Sequence, residues 1–302
     1  MAVIMNFRKI IMNSFFLILI ISNLMISCNT TFFYHPTKEV YFSPKTMGFP
    51  SNELWIQSKD GTKLHGFHLL SNPNADHKNT IVLFFHGNAE NISSHFLMVA
   101  WLADKGYDVV LFDYRGYGKS KGEADHAAIQ QDVTAMLHYG ANLARDKNLK
   151  LIVYGQSLGG ILAANGLLRW QSEPASSQYM QPNLLILDST FASYQKIAAS
   201  KFDGCITLFR WLPYIIVSDR YSAEDIAALA PLPIFVIHGD QDDIVPDRFG
   251  RELYELAGNP KRLMIVERAQ HAAWAGLGRS PSVLQFLKIV DELMTFEPDS
   301  KN

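Results

Sequence analysis

The stretch 151–160, LIVYGQSLGG, constrains the fold of this chain more than any other part of the sequence. Its first four residues are apolar and suit a buried strand, and the apolar run ILAANGLLRW that begins at Ile161 suits a helix. Between them lies a Gly-x-Ser-x-Gly turn with Ser157 at its centre. Such a turn lifts the serine oxygen clear of a sheet and places the N–H of Leu158 at a helix start, where negative charge is stabilised. The pattern therefore predicts an exposed nucleophile at the end of a buried strand.

Three further motifs accompany this turn along the chain. TIVLFFHGN spans 80–88, VIHGDQDDIVP spans 236–246, and Ala-Gln-His spans 269–271, after a predicted strand at 262–267 (RLMIVE). Together with GQSLG, they resemble the motifs of the α/β-hydrolase family of serine hydrolases, over about residues 51–296. The resemblance implies the α/β-hydrolase fold: a mostly parallel central sheet with helices on both faces and a small helical cap insertion.

The resemblance also assigns candidate catalytic residues. Ser157, Asp242 and His271 follow one another in the Ser–Asp–His order of this fold, and His271 is the only histidine after Asp242. The serine would attack, the histidine would carry the proton, and the aspartate would orient the imidazole. Asp188, which follows the apolar run 184–187, is the main alternative for the acid, because some members place it there.

Two backbone N–H groups are the candidates for an oxyanion hole. The N–H of Leu158 follows the nucleophile, and the family supplies a second donor from the His-Gly-x turn after the strand 80–86. By that match, the second donor is the N–H of Asn88. The same stretch predicts a helix that begins near Ser93 or Ser94.

Two stretches outside these motifs, 53–70 and about 191–231, do not follow the regular alternation of strand and helix. Residues 53–70 predict a hairpin around Lys59-Asp60-Gly61, with His65 and His68 on the strand surface. Between about 191 and 231 the alternation of strand and helix breaks down, and the segment is rich in aromatic and aliphatic residues. An insertion at this point of the fold is usually a helical cap, whose exposed apolar side chains would line an acyl pocket.

The N-terminal residues 1–27 predict an export signal. Arg8 and Lys9 precede a short apolar run, and LMISC at 24–28 resembles a bacterial lipobox in which Cys28 is lipidated. An uncleaved signal anchor and a plain cleaved signal are the alternatives. All three export the protein, and the first makes it a membrane-associated bacterial lipoprotein, on the periplasmic side or the cell surface. Residues 28–50 would form a tether that packs partly on the domain, and 51–302 the hydrolase domain.

Composition narrows the range of functions. The net charge is −2 and the body of the chain has no basic run, which argues against nucleic-acid binding. Cys28 and Cys205 are the only cysteines, and no Cys/His spacing suggests a metal site. No cofactor is implied, because nucleophile and proton relay both come from the protein.

The predicted function is the hydrolysis of a small-molecule carboxylic ester or thioester through an acyl-enzyme. Two alternatives stay open. GQSLGG also resembles the turn of prolyl-oligopeptidase-like serine peptidases, although the large N-terminal propeller of those enzymes is missing. A non-catalytic scaffold on the same fold is the other, since fold does not fix function.

Overall fold

The computed structural model describes residues 33–76, 78–173, 176–203 and 207–296. The predicted signal at 1–27, Cys28 and Cys205 lie outside these residues. Within the described ranges, no helix combines the length and apolar composition that crossing a bilayer requires.

Eight strands form one sheet. They are β1 (Ser51–Gln57), β2 (Lys63–Leu69), β3 (Thr80–Phe85), β4 (Asp108–Phe112), β5 (Lys150–Gln156), β6 (Leu184–Asp188), β7 (Ile234–Gly239) and β8 (Lys261–Val266). The spatial order is β8-β7-β6-β5-β3-β4-β2-β1. Strand β2 runs antiparallel to both of its neighbours, and all the other pairs are parallel. The predicted mostly parallel sheet is confirmed.

Helices cover both faces of this sheet. They are α1 (Ile92–Val99), α2 (Trp101–Asp104), α3 (His126–Lys147), α4 (Leu158–Gln171), α5 (Tyr194–Ser200), α6 (Pro213–Ile216), α7 (Arg248–Leu256) and α8 (Ser282–Met294). Val133 of α3 and Leu167 of α4 belong to one apolar cluster, whereas Phe96 of α1 and Val290 of α8 belong to a second. The two clusters take alternate residues of the central strands, as a sheet covered on both faces requires.

The register of the central strands determines where the predicted site residues meet. Phe85 pairs with Gly155, and Gln156 pairs with Asp188, so that β3, β5 and β6 end at the same edge of the sheet. Parallel strands send their following loops outward from that carboxyl edge, which is where open α/β sheets carry their sites.

Two local expectations need correction. The hairpin of β1 and β2 is confirmed, but His65 and His68 are buried rather than on the surface. The ring of His65 lies 2.7 Å from Glu53 Oε1, and that of His68 lies 3.0 Å from Asp108 Oδ2. Helix α1 begins slightly earlier than predicted, because the side chain of Asn91 accepts a hydrogen bond from the N–H of the second helical residue.

The segment 191–231 is built from short helices. It contains α5, α6 and two 3₁₀ helices, Thr207–Phe209 and Ile226–Leu229. Its start is buried in the core, whereas the stretch 208–215 carries large apolar side chains that are exposed to solvent.

Candidate active site

Ser157 lies in a strained turn between β5 and α4. Its φ of 54° and ψ of −123° are unusual for a residue with a side chain. Two hydrogen bonds hold the turn: its N–H donates to the carbonyl of Asp188 (2.8 Å), and the hydroxyl of Thr190 donates to its carbonyl (2.5 Å). A Cβ on Gly159 would overlap the carbonyl oxygen of Phe85, so that glycine is required for the close approach of β3 to α4.

The structure brings Ser157, His271 and Asp242 together. Nε2 of His271 lies 3.0 Å from the hydroxyl oxygen of Ser157, and Nδ1 lies 2.7 Å from Oδ2 of Asp242. The carboxylate is buried and the imidazole is partly exposed. A carboxylate can only accept, so Nδ1 carries a proton and Nε2 faces the serine as an acceptor. This is the tautomer that a general base needs.

Asp242 is held by groups on both of its oxygens. Oδ1 accepts from the N–H groups of Ile244 (3.0 Å) and Val245 (2.8 Å). Nε2 of His238 lies 3.3 Å from Oδ2 and 2.7 Å from the carbonyl of Val245. Burial alone would raise the pKa of Asp242, but hydrogen bonds with His238, His271 and the backbone outweigh it and hold that pKa well below its ordinary value. The carboxylate therefore stays charged.

Sequence reasoning did not assign His238 a role. The available signal was its place at the end of β7, four residues before Asp242. Residues at the carboxyl end of a central strand lie at the site edge, so its contact with the acid follows from topology.

Asp188, the alternative acid, has other partners. Its carboxylate accepts from the hydroxyl of Tyr154 (2.7 Å), Nε1 of Trp274 (2.8 Å) and the hydroxyl of Ser189 (2.9 Å). Burial raises the pKa of this carboxyl group. Among the described contacts, none joins it to His271. The Ser189 hydroxyl also accepts from the N–H of Ala272, next to His271, so this cluster braces the histidine loop.

Of the two predicted oxyanion donors, Leu158 directly follows the serine, and Asn88 lies in the loop after β3. Leu158 opens α4, and in the part of the chain that the structure describes its N–H has no protein acceptor; nor has that of Asn88. A Cβ built on Gly87 would lie 3.5 Å from Cβ of Ser157, which shows how closely this loop passes the nucleophile. Two unpaired N–H groups beside a nucleophile are the arrangement that stabilises a developing oxyanion.

Residues 33–42, here called the N-terminal strap, lie across the Asn88 loop. His35 and Pro36 form a short parallel bridge with residues 89–90, and the N–H of His35 donates to Oδ1 of Asn88 (2.9 Å). The side-chain amide of Asn91 donates to the carbonyls of Thr37 (3.1 Å) and Glu39 (2.6 Å). The strap falls within the predicted tether of 28–50, and its contacts cannot be read from local sequence patterns because they join residues about fifty positions apart.

The start of the strap is anchored in the core. Phe33 and Tyr34 are buried, and the ring of Phe33 packs edge-on against Tyr194 with centroids 4.8 Å apart. The hydroxyl of Tyr34 lies 2.9 Å from Nδ1 of His126. Burial lowers the pKa of His126 to about 4, so this imidazole is neutral near pH 7.

Two histidines hold the same loop by hydrogen bonds: His86, which is buried, and His95, which is half-buried. Nδ1 of His86 donates to the carbonyl of Gly87 (2.8 Å), and Nε2 of His95 donates to the carbonyl of Ala89 (2.8 Å). Burial lowers the pKa of both imidazoles, so each remains neutral and acts as a fixed donor. Their role is to hold the shape of the loop, not to transfer a proton during a reaction.

Other parts of the described molecule offer no competing centre near Ser157. Among the described residues, no group of three or more His, Cys, Asp or Glu is arranged to hold a metal ion. A cavity of about 580 Å³ is lined by Thr80 and Lys150, at the starts of β3 and β5. Because β5 is seven residues long, this cavity opens about 20 Å from the serine, at the opposite edge of the sheet.

Comparison with known proteins agrees with this architecture. Residues 76–210 match the Hydrolase_4 family model, described as "Serine aminopeptidase, S33"; the match includes Ser157 and Asn88 but ends before Asp242 and His271. The Escherichia coli (strain K12) protein named "Uncharacterized protein YfhR" is 34% identical over 242 residues, which cover 80% of this chain and 79% of that protein.

Two solved structures share the fold. The Pyrococcus furiosus esterase Pf2001 superposes with a TM-score of 0.64 at 20% identity, covering 87% of this chain and 97% of that one. An α/β serine hydrolase "without lid" from Xanthomonas campestris superposes with a TM-score of 0.55 at 19% identity, covering 83% and 99%. The sheet order, the turn at Ser157 and these relatives show that the chain belongs to the α/β-hydrolase family.

Proposed function

We propose that this protein is a serine hydrolase that cleaves carboxylic esters or thioesters. The observation that carries the proposal is the hydrogen-bonded chain from Ser157 through His271 to Asp242, with separations of 3.0 and 2.7 Å. The structural neighbours include an esterase, which supports an ester as the bond that is cleaved. Its similarity to this chain is one of fold.

The geometry accounts for each step of such a reaction. Nε2 of His271 takes the hydroxyl proton of Ser157 as its oxygen bonds to the acyl carbon, and the carbonyl oxygen becomes negatively charged. The N–H groups of Leu158 and Asn88 stabilise that charge, each donor being worth about 3 kcal/mol in the transition state. The imidazolium then protonates the departing alcohol or thiol, and water attacks the acyl-enzyme by the same proton route. Asp242 stabilises the imidazolium throughout.

The test is the substitution Ser157→Ala. We expect the variant to lose turnover of a short-chain nitrophenyl ester and to lose covalent labelling by a fluorophosphonate probe. Ser172→Ala is a matched control, because Ser172 caps the far end of α4 and is exposed. Full turnover in folded Ser157→Ala would reject the mechanism, and an unlabelled wild-type protein would favour a non-catalytic scaffold.

A second candidate, a serine peptidase, is favoured by the description of the matching family model. The same Ser157 chemistry applies to amides, so the two candidates differ in substrate preference rather than in mechanism. Nitrophenyl esters compared with aminoacyl and prolyl nitroanilides separate them through kcat/KM. A larger kcat/KM for the anilides would replace the ester proposal.

We also propose that Cys28 is lipidated and holds the exported protein on a membrane. The support is the sequence alone: the apolar run ending at Ile26 and the LMISC stretch. When the full-length chain is expressed in a bacterial host, the mature protein should carry a lipid mass and partition into detergent. Cys28→Ser should abolish the lipid mass. An unmodified chain that retains residues 1–27 would instead support the signal-anchor alternative.

A further inference from the structure

A group of large apolar side chains is exposed within the insertion that follows β6. Leu208, Phe209, Trp211, Tyr214 and Ile215 have exposed fractions of 78%, 46%, 56%, 51% and 60%. A single exposed apolar side chain is ordinary, but five within eight residues indicate a surface that meets another apolar phase. The short helices that carry them leave these side chains pointing away from the core.

This surface adjoins the candidate active site. Helix α5 connects the two: at its start, the side-chain amide of Gln195 donates to the carbonyls of Tyr214 (3.3 Å) and Val217 (2.9 Å). After its end, the ammonium of Lys201 donates to the carbonyl of Ile244 (2.7 Å). The side chain of Ile244 is 52% exposed, and its N–H is one of the donors to Asp242. Helix α5 therefore links the segment that carries the apolar surface to the loop of the proposed triad acid, where Ile244 adds a further exposed apolar side chain.

The N-terminal chain enters the described structure at the start of α5, the helix that contacts the segment carrying this surface. Phe33 packs on Tyr194, the residue immediately before Gln195. The apolar run of the predicted signal ends at Ile26, seven residues before Phe33. Seven residues reach at most about 25 Å, so a membrane that holds this run, or a lipid on Cys28, lies within that distance of Phe33.

The chemistry of the surface suits a lipid bilayer. Tryptophan and tyrosine favour the boundary between headgroups and acyl chains, and leucine and isoleucine add apolar area. Asp203 pairs with both Arg210 (3.0 Å) and Arg248 (2.6 Å), so the two arginines leave one positive charge beside the surface. A net positive charge beside an apolar face attracts anionic headgroups.

We propose that residues 208–215 and Ile244 form a lipid-docking surface that holds the Ser157 edge of the domain against a membrane, and that the substrate is an acyl ester or thioester lying in that membrane. The docking half stands on the exposed surface and the position of the strap. The substrate half rests on the proposed hydrolase function.

Contact with lipid is tested on the full chain reconstituted in vesicles of phosphatidylethanolamine and phosphatidylglycerol, with bromine-labelled lipids as quenchers of tryptophan fluorescence. Trp55 is the matched control: it is 48% exposed, but it lies on β1, six strand spacings or about 29 Å across the sheet from β7. Trp211→Phe should remove most of the quenching, and Trp55→Phe should leave it unchanged. Unchanged quenching in Trp211→Phe would overturn the proposal and would leave the surface to the chain's own apolar N-terminal run or to a second copy.

The substrate half is tested by comparing two esters. The triple variant Leu208→Ser/Trp211→Ser/Ile215→Ser should turn over soluble nitrophenyl acetate at the wild-type rate, but hydrolyse a long-chain ester held in vesicles at least about tenfold more slowly. If the triple variant and the wild-type protein hydrolyse the vesicle-held ester at equal rates, the proposal of a membrane-held substrate is refuted. If the wild-type protein hydrolyses neither ester, the hydrolase function fails, while the fluorescence result on docking still stands.

Discussion

Replacing each of two buried aspartates, Asp242 and Asp188, with uncharged asparagine tests which of them is the proposed triad acid. Asp242→Asn keeps the size of the side chain, and its amide oxygen can still accept from the N–H groups of Ile244 and Val245. The amide nitrogen then faces Nδ1 of His271, which favours the tautomer with its proton on Nε2, toward Ser157. An imidazole in that tautomer cannot take the serine proton, so kcat should fall by about 10⁴. That loss corresponds to about 5 kcal/mol of transition-state stabilisation.

Asp188→Asn should have a different effect. The buried carboxylate of Asp188 accepts from Tyr154 and Trp274 at one oxygen and from Ser189 at the other, and an amide placed there turns an NH₂ group toward the donors of one of the two oxygens. Leaving a buried donor unsatisfied costs about 1–3 kcal/mol of stability. The proton route itself stays intact, so kcat should remain within about tenfold of the wild-type value.

The assay combines nitrophenyl butyrate kinetics with urea unfolding for both variants. The expected result is a large loss of kcat with Asp242→Asn and a loss of unfolding free energy with Asp188→Asn. The assignment is wrong if folded Asp188→Asn is inactive while Asp242→Asn keeps turnover close to wild type.

Three further predictions concern the surroundings of the site. Gly159→Ala should yield little folded protein, because the new methyl group overlaps the backbone of Phe85; a wild-type thermal midpoint would contradict this close approach. Because the pKa of His126 is lowered to about 4 in the fold and is about 6.5 when unfolded, the unfolded state binds more protons between these values. Stability should therefore fall as pH drops from about 6.5 to about 4, by at most about 3 kcal/mol, and His126→Phe should flatten this dependence in urea titrations. Removing residues 33–42 along with everything before them should lower kcat for a soluble ester by at least about tenfold, whereas a chain that begins at Phe33 should keep it; equal kcat values would show that the strap does not position the Asn88 loop.

Sequence patterns predict the parts of the fold whose residues are adjacent in the chain. The turn at Ser157 depends on a strand, two glycines and a helix that are adjacent in the chain, so the pattern contains the geometry. The resemblance of the 236–246 stretch led to Asp242, and the structure brings this residue to His271. Sequence order alone could not separate it from Asp188, because both follow buried strands that end at the same edge.

Contacts between distant segments account for what the sequence did not reveal. His65 was expected on the surface because its neighbours in the chain are not acidic, but strand pairing brings Glu53 to its ring and covers it. The role of the strap has the same origin. His35 and Asn88 are 53 residues apart, and only the folded sheet places the N–H of one beside the side chain of the other.

The position of the strap has a consequence for the order of events during biosynthesis. Residues 33–42 are made before all of their partners: Asn88, then Gly118, whose N–H donates to the carbonyl of Thr37, and finally Tyr194. The strap can settle only after most of the sheet has formed, so closure of the loop beside the nucleophile is a late event in maturation. A partly made chain therefore lacks the finished arrangement around Ser157, which is complete only when the chain is nearly complete.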